Sequence, residues 1–292
     1  MAEPRAVIVG EGVGWEEVAH WLGQLGLRAE RADADWALSE WKPEDIPAVL
    51  ILGPSLRLES TAEICRQVKL HDTFNRVPII ELLGGGVPGV PEDSIRIEPD
   101  LYLDSGASPV EIAASTRAVV ERAHELEAAG IVFRCQVVCG SDLTLLGEIG
   151  KLLEPILWLT RLGEGDLERV RYAALEMGLN AIEWGNRWER GRRVRFTFTV
   201  TKDRFMAKIA DDGPGFDTGE VVRAGEESDP QEQIAARRAA GLRIGGYGVR
   251  VAREFVDELH YNEVGNEVTL VKYLPQEHQE NSGRAPERDA ET

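Results

Sequence analysis

The sequence predicts an α/β chain made of two unlike halves. Residues 5–127 alternate short, fully apolar runs with helical stretches, as a parallel sheet covered on both faces requires. Residues 131–275 place two strand-like runs on either side of a three-residue turn, which reads as a hairpin. Residues 276–292 are polar and acid-rich with almost no large apolar side chains, and read as a disordered tail.

In the first half, AVIVG (6–10) is a strand and WEEVAHWLGQLG (15–26) has apolar residues at helical spacing. PAVLILG (47–53) and TAEICRQVKL (61–70) repeat the alternation. VPIIELLG (77–84), SIRI (94–97) and LYL (101–103) are further strands, and SPVEIAASTRAVVERAHELEAAG (108–130) is the last helix. Order and lengths suit a doubly wound domain of the flavodoxin-like kind. The loop GGGVPGVPEDS (84–94) is long and flexible-looking.

The second half opens on the strand IVFRCQVVCG (131–140). Ser141 and Asp142 offer N-caps for a helix running to about 160, with Pro155 a kink candidate. The turn GEG (163–165) leads to a helix containing LEMGLNAIEWGN (175–186). VRFTFTV (194–200) and RFMAKIADDG (204–213) form the hairpin. A polar segment, 217–243, precedes a glycine turn and a helix expected over 245–261, and NEVTLVKYL (266–274) closes the sheet. No low-complexity linker separates the halves. The expected boundaries are therefore residues 1–128, 131–275 and the tail 276–292, with a helix-to-strand junction near 128–131.

At 292 residues the chain has room for about two domains. It is 43% hydrophobic and 29% charged, as soluble globular proteins are. A net charge of -18 disfavours nucleic acid and anionic membranes as partners. No run of 18 apolar residues suggests a membrane span, and MAEPRAVIVG lacks the layout of a signal peptide. Cys65, Cys135 and Cys139 suit a reduced, cytoplasmic setting, and read as small buried hydrophobes rather than metal ligands.

Three patches in the second half have the spacing of one site. Glu176 and Asn180 lie four apart on a helix, so a carboxylate and an amide point the same way. A carboxylate there can orient or deprotonate a nucleophile, and an amide oxygen suits Mg²⁺. DDGPGFD places Asp211 at a strand end, where it can accept from an exocyclic amine, and Gly213 and Gly215 let backbone pass close to a flat ring. GGYGV, with Gly245, Gly246 and Gly248, frees backbone N–H groups at a helix start to hold phosphates. Each patch alone also fits a plain turn or a solvated face. Their joint order and context favour a site.

Together they resemble the N, G1 and G2 boxes of the Bergerat-fold (GHKL) ATPases, most nearly the anti-sigma-factor serine kinases, over roughly 131–275. The resemblance implies an α/β sandwich binding ATP and Mg²⁺ between helices and a mobile lid, here 217–243. It places the general base on Glu176, the Mg²⁺ ligand on Asn180 and the adenine acid on Asp211. Gly213 and Gly215 fall on the adenine turn, and Gly246 and Gly248 on the phosphate turn. Trp184 stands where that family commonly has histidine. Glu183 reads as a solvated acid, with a supporting role behind the site as its alternative. The arginines of NRWERGRRVRF (186–196) read as solvated groups, with phosphate or an acidic partner helix as the functional alternative. Arg243 and Arg250 flank the phosphate turn.

Residues 5–127 resemble a response-regulator receiver stripped of its chemistry. The acidic pair reads Gly10-Glu11, the phosphoacceptor position Gly53, the hydroxyl position Leu83 and the lysine position Ser105. These residues imply a pseudo-receiver that acts by docking, as a dimerisation or partner surface. The expected activity is serine/threonine phosphotransfer to a regulatory partner of the sigma-factor or anti-anti-sigma-factor kind. The alternative is an ATP-dependent binding switch with little turnover. A histidine kinase is a third reading, because His124-Glu125-Leu126 imitates a phosphoacceptor box. A strand begins within about six residues, which leaves no room for a dimerisation hairpin.

Overall fold

A computed structural model describes residues 3–12, 14–33, 42, 46–85, 92–216 and 247–276. The expected lid, Gly245, Gly246, Arg243 and residues 277–292 lie outside these. The first sheet holds β1 (Arg5–Val9), β2 (Arg28–Ala32), β3 (Val49–Leu52), β4 (Ile79–Leu83) and β6 (Leu101–Asp104). All its pairings are parallel and the order is β2-β1-β3-β4-β6. That is the flavodoxin-like order, with its switch point between β1 and β3. Every residue of β3 and β4 is buried, which is why β3 is an unbroken apolar run and β4 is apolar but for Glu81. β2, RAERA, is a half-exposed edge strand, and no apolar signal announced it.

Helices α1 (Trp15–Gln24) and α3 (Pro109–Ala128) share one core with Ala6, Ile8, Ile51 and Ile80. Helix α2 (Leu58–Lys69) packs on the other face, with Ile64, Cys65 and Val68 against Val7, Leu50 and Leu52. A capping box starts α3: Glu111 N donates to Ser108 Oγ at 3.3 Å and Ser108 N to Glu111 Oε2 at 2.8 Å.

The second sheet is antiparallel, in the order β10-β11-β9-β8-β7-β5. Its strands are β5 (Ile95–Ile97), β7 (Ile131–Gly140), β8 (Arg193–Thr201), β9 (Arg204–Asp211), β10 (Glu258–Tyr261) and β11 (Glu267–Tyr273). Alternate residues of β7 to β9, among them Phe133, Cys135, Phe196, Phe198, Phe205 and Ile209, form one core with α4 (Leu143–Trp158) and α5 (Glu164–Asn180). α6 (Tyr247–Phe255) adds Ala252 to it. The three cysteines are free and buried, and burial pushes the thiols of Cys135 and Cys139 up to about 12.

Two elements depart from expectation. The helix expected over 245–261 ends at Phe255, and β10 comes next. Asp257 makes the switch: its N–H donates to Val271 O at 2.9 Å, and its carboxylate accepts from Tyr273 N at 2.6 Å. Ladder pairing with β11 then outweighs helix propensity over Glu258–Tyr261. The strand SIRI forms, but as β5 it joins the second sheet, Ile95 opposite Cys139 and Ile97 opposite Val137. Gly140 permits this, because a Cβ there would overlap Glu92 O. The first half thus covers the β7 edge of the second sheet. Lys69 and Asp100 pair at 2.6 Å behind β5, and Arg76 reaches both Glu127 (2.8 Å) and Val132 O (3.2 Å). Among the described residues, no helix is long and apolar enough to cross a membrane.

Candidate functional site

The site sits where α5, the end of β9 and the start of α6 meet. α5 follows its N-cap Gly163 and carries Glu176 and Asn180, both half-buried, on its last turns. Gly178 lies on its buried side, where a Cβ would come 2.7 Å from Phe196 Cζ and 3.0 Å from Leu146 Cδ2. The glycine that looked misplaced in LEMGLNAIEWGN lets α5 sit close on β8.

After Asn180 the helix widens into a π turn, Ala181–Gly185, closed by Asn186 N donating to Ala181 O at 2.7 Å. Such turns re-aim the chain as it leaves a helix. Here the turn lays the Gly185 backbone on Asp211, since a Cβ on Gly185 would overlap that carboxyl group. Asp211 Oδ1 accepts from Gly213 N at 2.8 Å. Burial raises the Asp211 pKa, and the Gly213 bond opposes the rise in part. A carboxylate so placed keeps acceptor capacity for an amine donor. A Cβ on Gly213 would overlap Gly185 O. Gly215, at φ +76°, takes a left-handed turn under Val264 O.

On the other side, Gly248 in the first turn of α6 packs against Glu176, and a Cβ there would overlap the Glu176 carboxylate. Asn180 Nδ2 points to Met177 Sδ at 4.0 Å. Glu176 and Gly248 therefore meet directly, while Asp211 belongs to a separate contact centred on Gly185. Gly215 lies beyond Asp211, against the β10–β11 turn. Arg250, on α6, pairs with Glu254 at 3.8 Å. His124 is exposed on α3.

Sequence reasoning missed Gly185 and Asn186. Asn186 is fully buried. Its Nδ2 donates to Ser141 Oγ (2.8 Å) and Arg193 O (3.0 Å), and its Oδ1 accepts from Asp212 N (2.9 Å). It ties α5, β8 and the loop after Asp211 together. Both residues stand in the quoted stretch, but the π turn shifts their register, so helical spacing does not reveal their direction.

At the switch point of the first sheet, the positions expected to compare with a receiver site are taken up by packing. Trp15 Nε1 donates to Gly10 O at 3.2 Å, and Ser55 Oγ accepts from Glu11 N at 2.6 Å. A Cβ on Gly53 would meet Val9 O at 3.0 Å, Glu11 O at 3.1 Å and Trp15 Cζ2 at 3.2 Å. An aspartate there would face two carbonyl oxygens and an indole.

Residues 140–272 match the family model of the histidine kinase-like ATPase domain. This stretch contains every site position named above for the second half, so that half is similar to histidine kinase-like ATPase domains. Among curated proteins, none matches the chain. Of solved structures, the receiver domain of sensor histidine kinase PA1611 from Pseudomonas aeruginosa PAO1 is 16% identical, covering 41% of this chain and 99% of that one, with a TM-score of 0.33. A putative response regulator from Chloroflexus aurantiacus J-10-fl is 19% identical over 41% of this chain and 99% of that one, TM-score 0.32. CheY4 of Vibrio cholerae is 17% identical over 40% and 99%, TM-score 0.33.

The ATPase-like domain fits ATP and Mg²⁺ in its donor set. The half-buried Asp211 offers an acceptor for an amine-bearing base, and the absence of a Cβ at Gly248 lets the Glu176 carboxylate lie against the first turn of α6. No cluster of three His, Cys, Asp or Glu side chains occurs among the described residues. Mg²⁺ would take Asn180 and phosphate oxygens, consistent with its habit of sharing ligands with a nucleotide.

Proposed function

We propose that the chain is an ATP-dependent protein serine/threonine kinase of the anti-sigma-factor type, acting on a regulatory partner protein. The observation that carries this reading is the packing of Gly248 on Glu176. It sets a carboxylate beside the glycine turn expected to hold phosphates. Glu176 takes the proton of the attacking hydroxyl, Asn180 holds Mg²⁺ against the phosphates, and Asp211 accepts from the exocyclic amine of adenine. Bound ATP and Mg²⁺ supply the transferable phosphoryl group and its charge neutralisation. The backbone of the glycine turn orients that group. The first half, its acceptor position filled, serves as a docking and structural element.

The runner-up is a switch in which ATP changes partner affinity with little turnover. The filled receiver site favours neither reading over the other. Calorimetry with Mg²⁺-ATP on the wild type and Asn180→Asp comes first. Absence of ATP binding in the wild type sinks both readings. Glu176→Ala then separates them: the kinase loses phosphotransfer and keeps ATP, whereas the switch keeps ATP-dependent partner capture and never shows transfer.

A further inference from the structure

The loop from the π turn to β8 holds two consecutive residues, Arg187 and Trp188, at φ 53° and 62°. Left-handed backbone is sterically costly for side chains of this size. The surroundings enforce it. Asn186 anchors the loop root through its three hydrogen bonds. Trp188 N donates to Ile182 O (3.1 Å), Glu189 N to Asn186 O (3.0 Å) and Arg192 N to Glu189 O (2.9 Å). Strain held in place this way points from geometry to function.

The strain brings large side chains to the surface. Trp184 and Trp188 are 43% and 46% exposed, and Arg187 and Arg190 are exposed beside them. The neighbouring cations are already paired: Arg192 with Glu189 (3.0 Å) and Arg195 with Asp212 (2.5 Å). The loop is fastened to the nucleotide side, because Gly185 lies on Asp211 and Asn186 holds Asp212 N.

We infer that residues 184–190 form a docking surface for an acidic segment of the partner protein carrying apolar side chains. This rests on the kinase reading, whose phosphoacceptor protein it describes. Indoles bury apolar side chains and guanidinium groups grip carboxylates in pairs, the residue types that dominate interface energetics. Charge makes the choice of partner. The chain carries a net charge of -18, so an acidic segment is repelled by most of the surface and held where Arg187 and Arg190 project. A basic segment would find attraction all over the molecule.

The test uses the full chain and a fluorescein-labelled peptide of Glu-Glu-Leu repeats, with a Lys-Lys-Leu peptide as control, read by anisotropy at low and raised salt. The Glu peptide binds saturably and weakens with salt. The variant Arg187→Gly with Trp188→Gly accepts the positive φ without strain, so its melting temperature holds or rises. It loses at least tenfold in Glu-peptide affinity while Mg²⁺-ATP binding stays unchanged. The inference is overturned by no saturable binding, by equal affinity in wild type and variant, or by a Lys peptide that binds at the same loop. It is also overturned if the wild type is a dimer that the glycine variant disperses, which assigns the loop to a second copy. ATP binding is read separately, so failure of the ATP site and failure of the docking surface give different results.

Discussion

Arg96, on the strand that the first half lends to the second sheet, forms a buried ion pair with Glu81 on β4 of the first sheet. Both side chains are under 5% exposed. The Arg96 guanidinium also lies over the Tyr102 ring at 5.5 Å. Glu98 lies close to Tyr102, and burial raises the pKa of both groups. One polar cluster thus joins the two sheets.

Breaking this pair from one side strands a charge. Arg96→Met or Glu81→Leu alone is expected to cost about 3–5 kcal/mol, whereas the double variant recovers most of it. Arg96 Nε and Nη1 have no hydrogen-bond partner, so the native arrangement is imperfectly satisfied and the apolar pair gains from its removal. Urea unfolding of the four proteins measures the coupling. Additive losses would show that the two residues act independently.

The Asp211 pKa is raised by burial, so its ionised form is costly in the unliganded fold. Its contribution to stability is full below the ordinary value of 3.8 and fades as pH rises through the elevated folded value. Nucleotide affinity runs the other way, since the ionised carboxylate is the better acceptor. Affinity therefore falls as pH drops through that elevated value. Asp211→Asn removes this pH dependence and about 1.5–3 kcal/mol of binding, the range for a hydrogen bond to a charged group. Calorimetry across the acid range checks both. A variant that keeps the wild-type pH profile assigns the effect elsewhere.

Two glycines of the site region separate function from packing. Gly248→Ala places a methyl group on the Glu176 carboxylate, so nucleotide handling suffers while the helix gains roughly 1 kcal/mol of propensity. Gly178→Ala pushes instead on Phe196 and Leu146, and overpacking there costs about 1–3 kcal/mol of stability. ATP titrations and thermal melts on the two variants should show opposite losses. Equal ATP affinity in Gly248→Ala and wild type would remove α6 from the site.

The packing around Gly53 also makes a prediction. Gly53→Asp restores the residue type of a phosphoacceptor, but Val9 O, Glu11 O and Trp15 already crowd its Cβ. The variant is expected to melt at a lower temperature and to take no phosphate from acetyl phosphate, as read by intact mass. A stable aspartyl phosphate would show that the pocket opens.

The fold class was readable, and candidate site positions could be named, because each rests on short-range pattern. β3 is an unbroken apolar run and β4 is broken only by Glu81, and the carboxylate and amide of Glu176 and Asn180 share a helix face. The features that escaped depend on geometry or long-range pairing. A π turn, invisible to helical spacing, carries Gly185 and Asn186 to Asp211 and Asp212. β10 has a helix-compatible sequence and is a strand because β11 is there to pair with it. β5 reads as a strand of its own half, and only the tertiary structure shows which sheet it joins.

The placement of β5 bears on any attempt to isolate the ATPase-like domain. A piece beginning at 131, as sequence punctuation suggests, starts at β7 with no β5 beside it. β7 then presents an open row of backbone donors and acceptors, an invitation to intermolecular pairing. Beginning at 92 keeps β5 but leaves Arg96 without Glu81, a buried charge turned to water. The expected order of solubility and melting temperature is residues 1–276 first, 92–276 second and 131–276 last, with the shortest piece forming oligomers through the β7 edge. Size-exclusion chromatography and thermal melts of the three pieces rank them. A monomeric 131–276 as stable as the longest piece would mean that β5 contributes nothing to the second sheet.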